Sequence, residues 1–261
     1  MGIRFETSII ISSLFFFFTI ENKAFSQLMA NADKAVHWSY EGATGPAKWG
    51  TLKHEFQSCI AGKKQSPVDV KSKESKKNDE IPVLSFAYFS TPLNILNNGH
   101  TIQVNYEKGS KLTINHDVYE LLQFHFHTPS EHALDGKRSE MEVHFVHKKE
   151  DGNLAVVGVL MKKGNKNKAF EALFDNLPEK SDSETKVEAK FNGIDIFPQD
   201  TGYYNYSGSL TTPPCSEIVN WILLKKPIEV SPKQLERFSK IFHMNARPIQ
   251  KLNDRKVEEK E

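Results

Sequence analysis

Two histidines one residue apart, His125 and His127, lie in the alternating run Gln123-Phe124-His125-Phe126-His127. Side chains of an extended strand alternate between faces, so both imidazoles share a side with Gln123, and Phe124 and Phe126 turn toward a core. Two imidazoles on one face are most of a catalytic zinc site, which keeps three protein ligands and one open position. A second run, Glu140-Met141-Glu142-Val143-His144-Phe145-Val146-His147, sets Glu142, His144 and Val146 on one face and Val143, Phe145 and His147 on the other. Paired antiparallel, the two runs would bring His144 opposite the histidine pair. Three neutral imidazoles with no cysteine beside them suit Zn2+. A ligating histidine gives its second N–H to a carboxylate, amide or carbonyl, and Gln123 and Glu142 precede His125 and His144 by two residues on the correct faces. His-x-His alone also occurs on solvent faces and in polar networks; the second strand with its own carboxylate favours the metal.

These histidines need a sheet to hold them. Ile102 to Tyr106, Lys111 to Asn115, Leu121 to His127, Glu140 to His147, Leu154 to Lys162 and Ile218 to Lys225 alternate or carry β-branched residues and read as strands. Lys168 to Phe174 and Pro232 to Phe242 read as helices, the second with Ser231 as N-cap and proline in its first turn. The pattern predicts a mainly β fold with peripheral helices. No repeat breaks the even composition from Ala35 to Arg247, which predicts a single domain. Lys71 to Glu80 and Glu179 to Glu184 read as solvated connectors, and residues 255–261 as a frayed, charged C-terminal tail. The 261 residues are 38% hydrophobic and 26% charged, and a net charge of +1 gives no electrostatic argument for nucleic acid or an anionic membrane.

Arg4, an apolar stretch from Ser8 to Ile20, and Ala24-Phe25-Ser26 follow the order of a secretory signal. The expected organisation is therefore a signal over residues 1–26, cleaved after Ser26, a domain over 27–254 and the tail. The apolar stretch is short for a membrane helix, so no span is expected after cleavage; an uncleaved anchor is the alternative. Export to the periplasm, with secretion as the alternative, gives Cys59 and Cys215 an oxidising setting in which a bridge is expected over two separate buried thiols.

Gln123-Phe-His-Phe-His127, Ser130-Glu131-His132, Glu142-Val-His144-Phe-Val-His147 and Tyr206-Ser-Gly-Ser-Leu-Thr-Thr-Pro-Pro214 together resemble an α-class carbonic anhydrase of the exported bacterial type. His37-Trp38-Ser39-Tyr40, Gln65-Ser66-Pro67-Val68, Leu96-Asn97-Asn98-Gly99-His100 and Trp221 extend the match from about Val36 to Pro248. The resemblance implies one domain on a large, mostly antiparallel twisted sheet, with Zn2+ held by His125, His127 and His144 at the bottom of a cleft. It implies reversible hydration of CO2 to bicarbonate and a proton by zinc-bound hydroxide, with ester hydrolysis as a side reaction.

Thr211 resembles the gatekeeper that accepts from the hydroxide and donates to Glu131; without the resemblance, Glu131 reads as a solvated loop carboxylate and Thr211 as a turn residue. His100 resembles the proton shuttle, where an imidazole is apt because it titrates near neutral pH; otherwise it is an exposed loop histidine. Tyr40, Asn98 and Gln103 resemble residues that order water between His100 and zinc. Gln103 replaces the asparagine of well-known animal members, and Thr101 adds a hydroxyl beside the shuttle, which bears on the proton-transfer rate. Val146, Val156, Leu210 and Trp221 match the CO2 pocket, with Val219 at its edge, and each would serve equally as core. Thr212 matches a contact for anions and inhibitors, and sulfonamides are expected to bind. The resemblance also implies a Cys59–Cys215 bridge bracing the active-site loop, and it allows a homodimer. His132 and His147 read as buried hydrogen-bonding residues. The competing reading is a non-catalytic binding or adhesion module, known where the family loses a zinc histidine; all three are present here.

Overall fold

The structure, a computed structural model, describes residues 37–261, and the segment read as a signal lies outside them. Alternating β-branched and aromatic residues make strands the main regular structure of the chain. In chain order they begin with β1 (Asp69–Val70), β2 (Lys76–Lys77), β3 (Leu84–Ala87), β4 (Thr91–Asn97), β5 (Ile102–Asn105) and β6 (Lys111–Ile114). Next come β7 (Asp117–His127), β8 (Ala133–Leu134), β9 (Lys137–Arg138), β10 (Met141–Lys148) and β11 (Leu154–Lys163). The last are β12 (Ser183–Phe191), β13 (Tyr203–Gly208), β14 (Val219–Leu224), β15 (Ile228–Val230) and β16 (Glu258–Lys260). The α-helices are short: α1 (Trp49–Leu52), α2 (Ser58–Ala61), α3 (Glu171–Asp175) and α4 (Pro232–Ser239).

A 13-stranded sheet follows the path β12-β4-β5-β7-β10-β11-β14-β13-β16-β2, with β6 beside β7, β3 beside β6 and β15 beside β11. Its ladders are antiparallel except β11–β14, β11–β15 and β16–β2. The mainly β fold on a large, mostly antiparallel sheet is thus the one expected. Trp38–Glu261 forms one compact unit.

The middle strands have two working faces. On one, Phe124 and Phe126 of β7 are fully buried; Phe124 stacks on Phe145 of β10 at 5.2 Å, and Phe126 packs against Phe170, Phe174 and Phe238. Each such ring contributes roughly 1.5–3 kcal/mol by leaving water. Phe238 is carried by α4, which starts with a reciprocal Ser231/Gln234 capping box and Pro232 in its first turn. The other face carries the histidines.

Some expectations need correction. Residues 255–261 are no frayed tail: β16 lies between β13 and β2, Val257 and Glu259 are buried, and the Arg255 guanidinium sits over the Tyr206 ring. Lys71 to Glu80 is not wholly a loop, because Lys76 and Lys77 pair with that strand. The connector over Glu179 to Glu184 ends early, since Ser183 and Glu184 already pair with Asn97 and Leu96. Helix α3 starts only at Glu171, because the Asn167 side chain accepts the Phe170 N–H and holds the preceding residues in a turn. Helix α4 ends at Ser239, where the chain tightens and Ile241 N–H bonds back to Phe238. Strands β4, β12 and β13 lay outside the sequence reading.

Candidate metal centre

Strand register assembles the histidines. In the β7–β10 ladder His125 stands opposite His144 and His127 opposite Glu142, and β5 brings Gln103 opposite His125. Candidate ligand atoms of His125, His127 and His144 all lie within 4.8 Å of one another. Each ring has one nitrogen engaged from behind. His125 Nδ1 donates to Gln123 Oε1 (2.9 Å), His127 Nδ1 to the Asn245 carbonyl (2.7 Å), and His144 Nε2 to Glu142 Oε1 (2.8 Å). That leaves His125 Nε2, His127 Nε2 and His144 Nδ1 as the available donors. Buried His127 Nε2 has no hydrogen-bond partner among the described residues, an expensive state unless a ligand completes it. The donor set therefore fits zinc: three imidazole nitrogens, each oriented by an outer acceptor.

A second cluster, His132, Glu142 and His144, lies within the same reach but is already spent on itself. Glu142 Oε1 also accepts from His132 Nδ1 (2.7 Å), and Oε2 accepts the His132 backbone N–H. The Tyr206 hydroxyl bridges His132 Nε2 (2.6 Å) and Ser66 Oγ (3.0 Å). The expected buried role of His132 is met. Gly158 stands opposite His144, and a Cβ there would come within 2.8 Å of Glu142 Oε1, so only glycine leaves room for that carboxylate.

Electrostatics favour the neutral form of His125 and His127, the form that binds metal. Loss of hydration holds His125 well below the usual imidazole range, helped by repulsion from His127 and His144. Burial likewise lowers His127, with Glu131 pulling the other way. Burial pushes Glu142 up, but its contacts with His132 and His144 outweigh that and hold it well below the usual carboxylate range.

Glu131 is fully buried. Its Oε1 accepts the Arg247 backbone N–H (2.8 Å), and Oε2 lies 3.5 Å from His127 Nε2 and 4.0 Å from His144 Nδ1. Among the described residues Oε2 has no hydrogen-bond partner, so the expected bond from Thr211 is not closed. The Arg247 guanidinium, buried and lowered to about 10 by loss of hydration, bonds Gln65 Oε1 and the carbonyls of Ser66 and Cys59. The Cys59–Cys215 disulfide is formed, tying α2 to the loop of Thr211 and Thr212. Thr211 is buried there.

Val146, Val156, Trp221 and Val219 belong to one apolar cluster with Leu210 packed against it. Register explains this: Val146 pairs with Val156, which pairs with Trp221. Trp221 meets His144 edge-on at 4.8 Å, so the cluster touches the metal face. A cavity of about 600 Å3 beside Arg237 and Lys240 holds no histidine or cysteine; the donor set, not the volume, locates the site.

His100 occupies the turn after Gly99, whose φ of +79° suits glycine. Asn98 Oδ1 accepts the N–H groups of both His100 and Thr101 (3.0 Å each) and so shapes the turn. Gln103 Nε2 bonds Asn105 Oδ1 along its own strand. Tyr40 is raised well above the usual phenol range by burial and by the nearby Glu131 charge. Sequence reasoning missed Asn245 and Arg247. Both act partly through backbone groups, which every residue carries, so residue type gave no signal.

The family model of eukaryotic-type carbonic anhydrase matches residues 44–261. The carbonic anhydrase of Nostoc sp. is 44% identical over 227 residues, covering 86% of each chain. The Thermovibrio ammonificans α-carbonic anhydrase, solved with sulfanilamide, has a TM-score of 0.83 and 42% identity over 85% of this chain and 99% of its own. A hyperthermostable carbonic anhydrase from a hydrothermal vent chimney has a TM-score of 0.81 and 47% identity over 86% of this chain and 100% of its own.

Proposed function

The chain belongs to the eukaryotic-type (α) carbonic anhydrase family and is a carbonate dehydratase, and on that premise we propose that His125, His127 and His144 hold a zinc ion. Zinc would act there as a Lewis acid that makes water acidic near neutral pH and so provides the nucleophile. The observation that carries the assignment is the shared arrangement of the three rings, one nitrogen held by Gln123, Asn245 or Glu142 and the other left for the metal.

Thr211 orients the attack. Its hydroxyl has one proton to give, and Glu131 Oε2, a buried acceptor without a hydrogen-bond partner among the described residues, is the group to take it. With that proton committed, Thr211 accepts from the nucleophile and aims its lone pair at CO2. Apolar, uncharged CO2 rests against Val146, Val156, Leu210 and Trp221, with Val219 at the edge and Thr212 touching the bicarbonate formed. His100 takes the proton outward. Tyr40, the amide oxygen of Gln103 and the amide N–H groups of Asn98 order the water between. Sulfonamides and small anions compete for the same space, as the sulfanilamide complex of the Thermovibrio relative leads us to expect.

The N-terminal pattern and the Cys59–Cys215 bridge support export to an oxidising compartment, the periplasm first. Among the described residues no helix is long and apolar enough to cross a membrane.

Stopped-flow CO2 hydration with and without a chelator, alongside His144→Ala, tests the assignment. Hydration should vanish with the metal and with His144. Hydration that survives both, or none in a folded, zinc-loaded sample, overturns it.

A further inference from the structure

Asn245 is fully buried and has every polar group in use. Its backbone carbonyl accepts from His127 Nδ1 (2.7 Å) and its backbone N–H donates to the Thr128 carbonyl (3.0 Å). Side-chain Oδ1 accepts the Thr128 N–H (2.7 Å), and Nδ2 donates to the carbonyls of Phe126 (2.9 Å) and His100 (3.0 Å). Asn245 thus grips the chain before His127, the chain after it and the ring itself. Its last N–H reaches across to His100. A second tie runs alongside: Thr101 Oγ1 donates to the same Phe126 carbonyl (2.5 Å) and accepts the Phe126 N–H (3.2 Å).

We infer that Asn245 is a positioning residue that holds His100 in fixed register with His127, with the Thr101 hydroxyl as its auxiliary. The chemistry demands asparagine. Two N–H donors and one carbonyl acceptor are needed on a short stem. Aspartate has no donors, and glutamine carries its amide one methylene too far to keep its backbone carbonyl on the ring. The backbone from which the His100 ring hangs is therefore held at a fixed distance from His127 by the protein frame and not by its own loop alone. This inference rests on the zinc and shuttle assignments above.

The test uses the full zinc-loaded protein with Asn245→Ser, which keeps the backbone carbonyl but loses both reaching donors. Zinc affinity, read by chelator competition, should fall about tenfold, as for other outer partners of ligating histidines. Turnover at low buffer should fall about tenfold as well and recover with added imidazole. In a His100→Ala background Asn245→Ser should lower low-buffer turnover by a clearly smaller factor than in the parent protein, while zinc binding weakens to the same extent. Thr101→Val, which removes only the hydroxyl, should lower low-buffer turnover by a smaller factor and serves if Asn245→Ser does not fold. Unchanged zinc affinity and unchanged buffer dependence in both variants would overturn the inference. So would equal losses of low-buffer turnover with and without His100. His100→Ala alone separates the failures: if it leaves low-buffer turnover intact, the shuttle assignment falls first.

Discussion

The imidazole of His100 lies flat on the indole of Trp38, with ring centroids 3.7 Å apart and planes 7° from parallel. Aromatic stacking is worth about 0.5–1.5 kcal/mol, enough to confine the ring against that indole. Loss of His100 by His100→Ala should cut turnover at low buffer and leave kcat/KM near its starting value, with added imidazole restoring the rate. Trp38→Ala frees the ring without removing it, so low-buffer turnover should fall by only about threefold. Stopped-flow hydration across a buffer series reads both.

Thr211→Val keeps the shape of the side chain and removes the hydroxyl. A lost orienting group of this kind typically costs on the order of 100-fold in rate, and kcat/KM should fall by about that factor. Glu131→Gln should produce a similar loss, because an amide can donate to Thr211 and reverse its direction. If the two residues act as one device, as proposed, the double variant should be little worse than either single one. Additive losses would show two independent roles.

Stability against acid should depend on His147. Burial lowers this imidazole from 6.5 to about 4, against weaker raising by backbone bonds to Ala155 and Phe145. The Tyr88 hydroxyl bonds its Nε2 (2.6 Å). Between those values the unfolded chain binds a proton that the folded chain refuses. Stability is therefore whole above 6.5 and declines as the pH falls toward 4, by roughly 3 kcal/mol from this residue. Urea unfolding at neutral pH and near pH 4 measures the slope, and His147→Gln, which still offers a donor and an acceptor, should flatten it.

The Cys59–Cys215 bridge closes a sequence separation of 156 residues. Replacing both cysteines by serine should lower the unfolding free energy by up to roughly 5 kcal/mol through the freed unfolded chain. Activity should suffer at temperatures where the protein is still folded, because Thr211 sits on the loop that the bridge holds. Denaturant unfolding and hydration measured on the same samples separate the two effects.

The three histidines and their two polar supports were legible from the sequence because strand alternation is local: residue type and a period of two assign each to a face. Strands β7, β10, β11 and β14 were legible for the same reason. Charge misled at the other end. Glu258 and Lys260 look like a solvated tail, yet β16 is held by backbone pairing to β13 and β2, for which composition carries no mark. Pro92 and Asn94 in β4 and the mixed charges of β12 hid those strands similarly, since alternate side chains of β4 are only half-buried and β12 fully buries Phe191 alone. The grip of Asn245 on His127 was illegible for another reason. It spans 118 residues of sequence and ends on a backbone carbonyl.

Strand β7 has its phenylalanines in the core and its histidines at the proposed metal site, one residue apart. Heat resistance and metal affinity are consequently traits that selection, or a protein engineer, cannot adjust separately in this strand. A repacking such as Phe126→Leu that tilts the backbone by a fraction of an ångström moves His125 and His127 with it. Variants bred for hotter process streams should therefore gather their gains at the rim, in the C-terminal ladder and the connectors, and leave these five residues alone.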